Sequence, residues 1–283
     1  MGDARWSTQD WAQYNMANVA GKTQQQVFRS TSLKPEYDPR HIEIRESRDS
    51  ASNPASTPII LASDVTGSMG MIAHELMQTG LDTVAREIYY RKPVSDPHIM
   101  VMAVGDAKSD RAPLQATQFE ADIRLADQVR DLWLEGNGGG NGGESYCLAH
   151  VFAGAKVSAD AWEKRRKKGY LFTIGDEPVH DGVTAQELER VMGKAMKGMD
   201  GRQCVALASQ TFELFHVVLM NEGHAGQGDN RRAEVLRSWE RILPERIIKL
   251  DDRTKLGEAI VSAIQGGKLA AFGPRDEILK QQT

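Results

Sequence analysis

From Pro58 onward, apolar and polar positions fall into alternating blocks: short apolar runs, each followed by a longer stretch with helical periodicity. Ile59-Ile60-Leu61-Ala62-Ser63 is the first run, and its lack of a polar face predicts a strand covered on both sides. A helix pattern runs from Met71 to about Tyr90 and stops before Pro93. His98 to Val104 predicts the next strand, ended by Gly105-Asp106, and Leu114 to Phe119 a short edge strand. A helix is expected from about Ile123 to Leu134. A glycine-rich loop, Gly136 to Gly143, then leads into a helix over Tyr146 to Val157. Lys168 to Ile174 predicts a strand that turns at Gly175-Asp176-Glu177-Pro178. Thr184 to Met196 predicts a helix opened by Thr184 and Glu187 in capping-box spacing. Phe212 to Met220 reads as a strand, Arg231 to Ile242 as a helix, Arg246 to Leu250 as a short strand and Thr254 to Ile264 as a last helix. This alternation predicts βαβ units and an α/β fold: a doubly wound, mostly parallel central sheet flanked by helices in three layers. Ligands of such sheets sit at the carboxyl ends of the strands.

Residues 1–57 differ from this regular part. They are rich in Gln, Ser, Arg and Asp and end in Ser-Asn-Pro-Ala-Ser-Thr-Pro (52–58), which reads as a linker. The expected organisation is an N-terminal arm with linker over 1–57, the α/β domain over 58–265 and a C-terminal tail over 266–283. Trp6, Trp11, Tyr14, Met16 and Val19 fit one face of a helix, which either packs on the domain or docks a partner; packing is favoured.

Composition narrows the classes. With 40% hydrophobic and 26% charged residues in 283, the chain has the material for a packed core. A net charge of -4 gives no reason to expect nucleic acid or an anionic membrane surface. The beginning of the chain has no apolar signal region, and no run approaches the ~20 residues of a spanning helix, so a cytoplasmic location is expected. The 2 cysteines, Cys147 and Cys204, are far apart in sequence and outside any C-x-x-C spacing. They read as reduced packing residues rather than a disulfide framework or a zinc site.

The candidate chemistry lies at strand ends. Asp64-Val65-Thr66-Gly67-Ser68-Met69-Gly70, Gly142-Gly143-Glu144-Ser145 and Gly175-Asp176-Glu177 together offer carboxylates and hydroxyls but no thiolate. Such hard oxygen donors suit Mg²⁺, Mn²⁺ or Ca²⁺. Asp64, Thr66 and Ser68 at alternate positions can face one point if the loop curls, and Gly67 permits the curl.

Asp-Val-Thr-Gly-Ser after an apolar strand resembles the D-x-S/T-x-S motif of von Willebrand factor A domains, over roughly residues 58 to 265. The resemblance implies a Rossmann-like three-layer fold with a metal-ion-dependent adhesion site at its top. Thr66 and Ser68 would ligate the ion through their hydroxyls, and Asp64 and Asp176 directly or through water. The family's further loop ligand is usually a threonine, and none occurs in Gly143-Glu144-Ser145; Glu144 is the expected ligand there, with Ser145 the alternative. Three carboxylates would leave the bound ion a weak electrophile toward an acidic partner residue, whereas Ser145 in place of Glu144 would keep that mode open. Further wording is similar to a bacterial and bacteriophage branch of the family: Val104-Gly105-Asp106-Ala107, Leu134-Glu135-Gly136, Glu144-Ser145-Tyr146 and the stretch from Gly169 to Glu177. Members of such branches often work with MoxR-type AAA+ ATPases. The expected role is therefore metal-dependent protein binding without catalysis, Mg²⁺ being the first choice of ion.

Other readings compete. Asp64-x-Thr66-Gly67 also resembles the nucleophile loop of haloacid dehalogenase-like phosphotransferases, with Asp64 attacking, Asp176 and Asp181 holding Mg²⁺ and Lys167 or Lys168 steadying phosphate. Thr66 stands where most of that family has an aspartate. A structural or virion assembly protein using the same fold is a third reading. A serine hydrolase built on Ser68 with His180, His216 or His224 is weaker, because the first elbow glycine is displaced and each histidine reads as a loop or strand-end residue. Gly138, Gly140 and Gly143 satisfy G-x-G-x-x-G only because glycine fills the run, which follows a helix rather than a strand. Glu163 to Lys168 reads as a solvated basic helix end, and Asn221 to Asn230 as a mobile loop bordering the site.

Overall fold

The computed structural model describes residues 7–65, 81–135 and 142–266. Among them, six strands form the central sheet: β2 (Thr57–Asp64), β3 (Pro97–Val104), β4 (Leu114–Ala116), β6 (Gly169–Gly175), β9 (Phe212–Leu219) and β10 (Ile247–Leu250). Their order is β10-β9-β6-β2-β3-β4, and every pairing is parallel except that of β4 on the edge of β3. The short pairs β1 (Arg45–Ser47) with β5 (Val157–Ala159) and β7 (Gly182–Val183) with β8 (Met199–Asp200) lie outside it.

The apolar runs serve both faces, as a doubly covered sheet requires. Ile59, Leu61, Phe172, Ile174, Phe215 and Val217 point into one core layer, and Ile60, Ala62, Leu171, Leu214 and Val218 into the other. The first layer is closed by α3 (Leu81–Arg91), α4 (Arg124–Arg130) and α10 (Leu256–Ile264). The second is closed by α5 (Cys147–Lys156), α7 (Ala185–Met192), α8 (Gly201–Ala208) and α9 (Asp229–Glu240). The result is a mixed α/β three-layer sandwich.

The amino-terminal segment is built into this body. Within it, α1 (Thr8–Asn18) and α2 (Gln24–Val27) bring Trp11, Val19, Val27 and Phe28 into the first core layer. The Lys156 ammonium at the end of α5 donates to the carbonyls of Pro39 and Ile42, both at 2.7 Å, and of Met192 at 3.1 Å. The basic run 163–168 is largely paired: on α6 (Asp160–Arg165), Lys164 meets Asp160 and Arg165 meets Asp49, which fixes the linker that precedes β2.

Several boundaries differ from expectation for local reasons. The capping box Thr184–Glu187 opens α7 as its spacing predicts, but the helix stops at Gly193, which takes a left-handed φ of 69°. Likewise α4 ends at Arg130, and the Trp133 backbone turns aside to exchange two hydrogen bonds with the Gln115 side chain on β4. Helix α8 was not expected. Trp6, the segment 66–80, most of the glycine loop (136–141) and the tail 267–283 lie outside the described residues.

Candidate functional site

The chain leaves β2 toward β3 on one side and returns to β6 on the other, so the sheet's switch point lies between the carboxyl ends of β2 and β6. Asp64 is the last residue of β2, fully buried, and Asp176 follows Gly175 at the end of β6. Tyr146, at the entry to α5, reaches this seam, and its hydroxyl donates to Asp64 Oδ2 at 3.2 Å. The approach is so close that a Cβ on Gly175 would collide with that hydroxyl and lie 3.2 Å from Asp64 Cβ, so glycine is required there.

The loop before α5 is zipped to the loop after β6. Glu144 N–H donates to Pro178 O at 2.9 Å, His180 N–H donates to Glu144 O at 3.2 Å, and Glu144 bridges Val179 in parallel register. The described parts of the three expected loops therefore meet in one place, Asp64 of the first, Glu144 of the second and Asp176 of the third. Burial raises the pKa of the Tyr146 phenol well above its ordinary value, and the neighbouring carboxylates Asp64, Asp176, Glu144 and Glu177 push it further. The phenol thus stays a proton donor amid four acidic side chains. Burial likewise raises Asp176 and Glu177. A divalent cation would reverse that bias, because a carboxylate ligand must shed its proton to bind.

Of the six expected ligands, Asp64, Glu144, Ser145 and Asp176 fall among the described residues, all at most 3% exposed, while Thr66 and Ser68 fall outside them. The Ser145 hydroxyl is engaged: it donates to Asp106 Oδ1 at 3.0 Å and accepts from Ala107 N–H at 2.9 Å. Asp176 Oδ2 accepts the His224 N–H, while its Oδ1 is buried with no hydrogen-bond partner among the described residues. Among those residues, no group of three or more His, Cys, Asp and Glu side chains is arranged to hold a metal ion. Mg²⁺ does not need such a group, since it commonly keeps several waters and binds through one or two carboxylates.

Sequence reasoning left several neighbours without a role. Asp106, fully buried just past β3, accepts from Ser145 Oγ, Lys108 N–H at 3.1 Å and Ser109 Oγ at 3.2 Å, and its Oδ1 lies 3.1 Å from His180 Nε2. Lys108 Nζ lies 3.1 Å from His180 Nδ1. The stretch Asn221 to Asn230, expected to be mobile, is tied to the site through His224. His216, expected at a strand end or in a loop, lies within β9, wholly buried and stacked on Trp239 at 3.5 Å.

The phosphate roles considered for the lysines meet a geometric obstacle. Lys167 and Lys168 precede β6, and Lys168 pairs with Glu213 at 3.5 Å, whereas Asp64 and Asp176 lie at the other end of the strands. A seven-residue strand separates the two groups by roughly 20 Å. Asp181, the third acidic residue of that reading, is 84% exposed and paired with Arg241 at 2.7 Å.

A groove of about 760 Å³ opens beside the site between the segment 178–181 and α9, bordered by Lys108, His180, Glu234 and Arg237. Among the described residues, no helix is long and apolar enough to cross a membrane.

No family model matches this chain, and no curated protein does. Among solved structures, the pilus adhesin SpaC from Lactobacillus rhamnosus GG aligns in its open conformation and in a second form, each at a TM-score of 0.47 and 8% identity. Each alignment covers 74% of this chain and 30% of the adhesin, so the chain spans under a third of that protein's length.

Proposed function

We propose that this protein is a cytoplasmic, non-catalytic binding domain of the von Willebrand factor A type, whose top face is organised by one divalent cation, Mg²⁺ first. The ligands in this reading are Asp64, Thr66, Ser68, Asp176 and Glu144, with Ser145 the alternative to Glu144. The observation that carries it is the meeting of Asp64, Glu144 and Asp176 around the Tyr146 hydroxyl at the switch point, with a buried Asp176 oxygen that has no hydrogen bond among the described residues. The donors are hard oxygens, and the network that occupies Ser145 favours Glu144 as the loop ligand. The cation would supply positive charge that lets the buried carboxylates coexist. With carboxylates as its charged ligands, its task is to brace the face rather than to capture an acidic residue. The partner then docks on the protein surface beside it, for which the adjoining groove offers room. A MoxR-type AAA+ ATPase is the partner implied by the resemblance of residues 104–107, 112–115, 134–136, 144–146 and 169–177 to the bacterial and phage branch.

Titration calorimetry of metal-stripped protein with Mg²⁺, Mn²⁺ and Ca²⁺ tests the reading. One site is expected, lost in an Asp64→Ala, Ser68→Ala variant. No binding by the intact protein would reduce the strand-end loops to turns. Mg²⁺-dependent trapping of beryllofluoride would instead make Asp64 a phosphoryl acceptor, and stoichiometric self-assembly would point to a structural role.

A further inference from the structure

The loop after β9 grips Asp176 twice. His224 N–H donates to Asp176 Oδ2, and Ala225 N–H donates to the Asp176 carbonyl at 3.1 Å. The His224 ring is held in turn. Its Nε2 is hydrogen-bonded to Oε2 of Glu234 on α9 at 3.3 Å, while its Nδ1 faces Glu177 Oε2 at 3.3 Å without a hydrogen bond among the described residues. Glu234 also pairs with Arg231 at 3.1 Å, and Arg232 closes the loop on itself by donating to Met220 O at 3.0 Å. This chain of contacts decides which oxygen of Asp176 is committed. Oδ2 belongs to the loop. Oδ1 is buried and has no hydrogen-bond partner among the described residues, in a residue only 1% exposed. An ionised carboxylate oxygen left so in the interior is costly unless a cation or a donor meets it.

We infer that His224 is a positioning residue for the cation: anchored by Glu234 and facing Glu177, it fixes the Asp176 carboxylate so that Oδ1, not Oδ2, is presented to the ion. The inference rests on the metal-binding reading above and assigns to the loop 221–228 and to α9 a part in it that no motif carries. Outer-shell partners of this kind typically alter metal affinity about 10- to 100-fold when removed. Glu234 makes the cleaner probe, because its side chain is 43% exposed and its partners, His224 and Arg231, are not expected ligands.

The experiment compares wild type, Glu234→Gln, His224→Leu and His224→Gln as full chains. It reads Mg²⁺ and Mn²⁺ affinity by calorimetry, the electron paramagnetic resonance spectrum of bound Mn²⁺, and the thermal midpoint without metal. His224→Leu is expected to weaken binding about 10-fold or more and broaden the Mn²⁺ spectrum. Glu234→Gln should weaken it by a smaller factor with the metal-free midpoint unchanged, and His224→Gln, whose amide can still donate to a carboxylate, should recover part of the loss. Wild-type affinity and spectrum in His224→Leu and Glu234→Gln would overturn the inference while leaving the metal site standing. Equal weakening by Leu and Gln at position 224 would overturn it too, by showing that loop packing alone matters. Wild type that binds no cation would overturn the metal reading itself.

Discussion

His150 and His216 show what the interior imposes on single residues. Both are wholly buried on the α5 side of the sheet, near Trp239. Burial lowers the His150 pKa to about 4 and drives His216 well below its ordinary value. Because the folded pKa is depressed, the unfolded chain binds more protons between about pH 6.5 and 4, and stability must fall as pH drops through that window. Well above pH 6.5, where the unfolded histidines have also lost their protons, the two contribute little to pH dependence. Urea midpoints measured from pH 7.5 to 4.5 should fall steeply, and His150→Leu should flatten the slope; an unchanged slope in the variant would refute the assignment. Tyr146 works by its hydroxyl. Tyr146→Phe keeps the ring packed against Trp239 and His216 but removes the donor to Asp64. It should cost about 1 to 2 kcal/mol of stability by denaturant titration, and it should weaken Mg²⁺ binding about 10-fold. Unchanged affinity would make the phenol a packing group only. Cys147 and Cys204, so distant in sequence, are neighbours across α5 and α8: a hydrogen bond to Cys204, then burial, raises the Cys147 thiol well above its ordinary pKa.

At the scale of elements, α8 shows how a helix can be marked and still pass unread. Asp200 accepts from Gln203 N–H at 2.8 Å and Gln203 Oε1 accepts from Asp200 N–H at 2.9 Å, a complete capping box. Asp200→Ala should therefore cost about 1 kcal/mol in a chemical denaturation curve, and a loss below experimental error would mean that packing of Cys204 and Ala208 alone holds the helix. The box was legible in the spacing, but the segment is short and opens on glycine, so its periodicity is weak. The strands were legible for the opposite reason: β2, β3, β6 and β9 are buried on both faces and read as unbroken apolar runs. Asp64, Glu144 and Asp176 could be singled out as candidates because Asp64 ends an apolar strand and Glu144 and Asp176 each follow a glycine in a loop. Asp106 and His224 could not, since their roles rest on hydrogen bonds to partners far along the chain, such as Asp106 with His180 and His224 with Asp176, which no local pattern encodes.

For the whole molecule, the composition break near residue 57 is no break in packing. Trp11, Val19, Val27 and Phe28 are in the same core layer as the sheet, and two of the three carbonyls that hold the Lys156 ammonium come from Pro39 and Ile42. A chain starting at residue 58 would expose apolar side chains of that layer and strand a cation whose pKa burial already lowers. It should be poorly soluble, with a thermal midpoint well below that of the full chain, as calorimetry and gel filtration would report. A soluble monomer with the full-length midpoint would show that the segment is dispensable.

The strand order also sets when the site comes into being. Strand β2 lies at the centre of the sheet yet is the first of its six strands in the chain, and its neighbours are β3 and the much later β6. As the polypeptide leaves the ribosome, Asp64 must wait through more than a hundred further residues before Asp176 emerges, and longer still for His224. A nascent chain can pair β2 with β3 early, but it cannot gather the acidic residues until β6, the fourth of the six strands in chain order, has been synthesised. If the proposed cation binds there, it would be kept from half-made chains, and its binding would mark chains folded through β6.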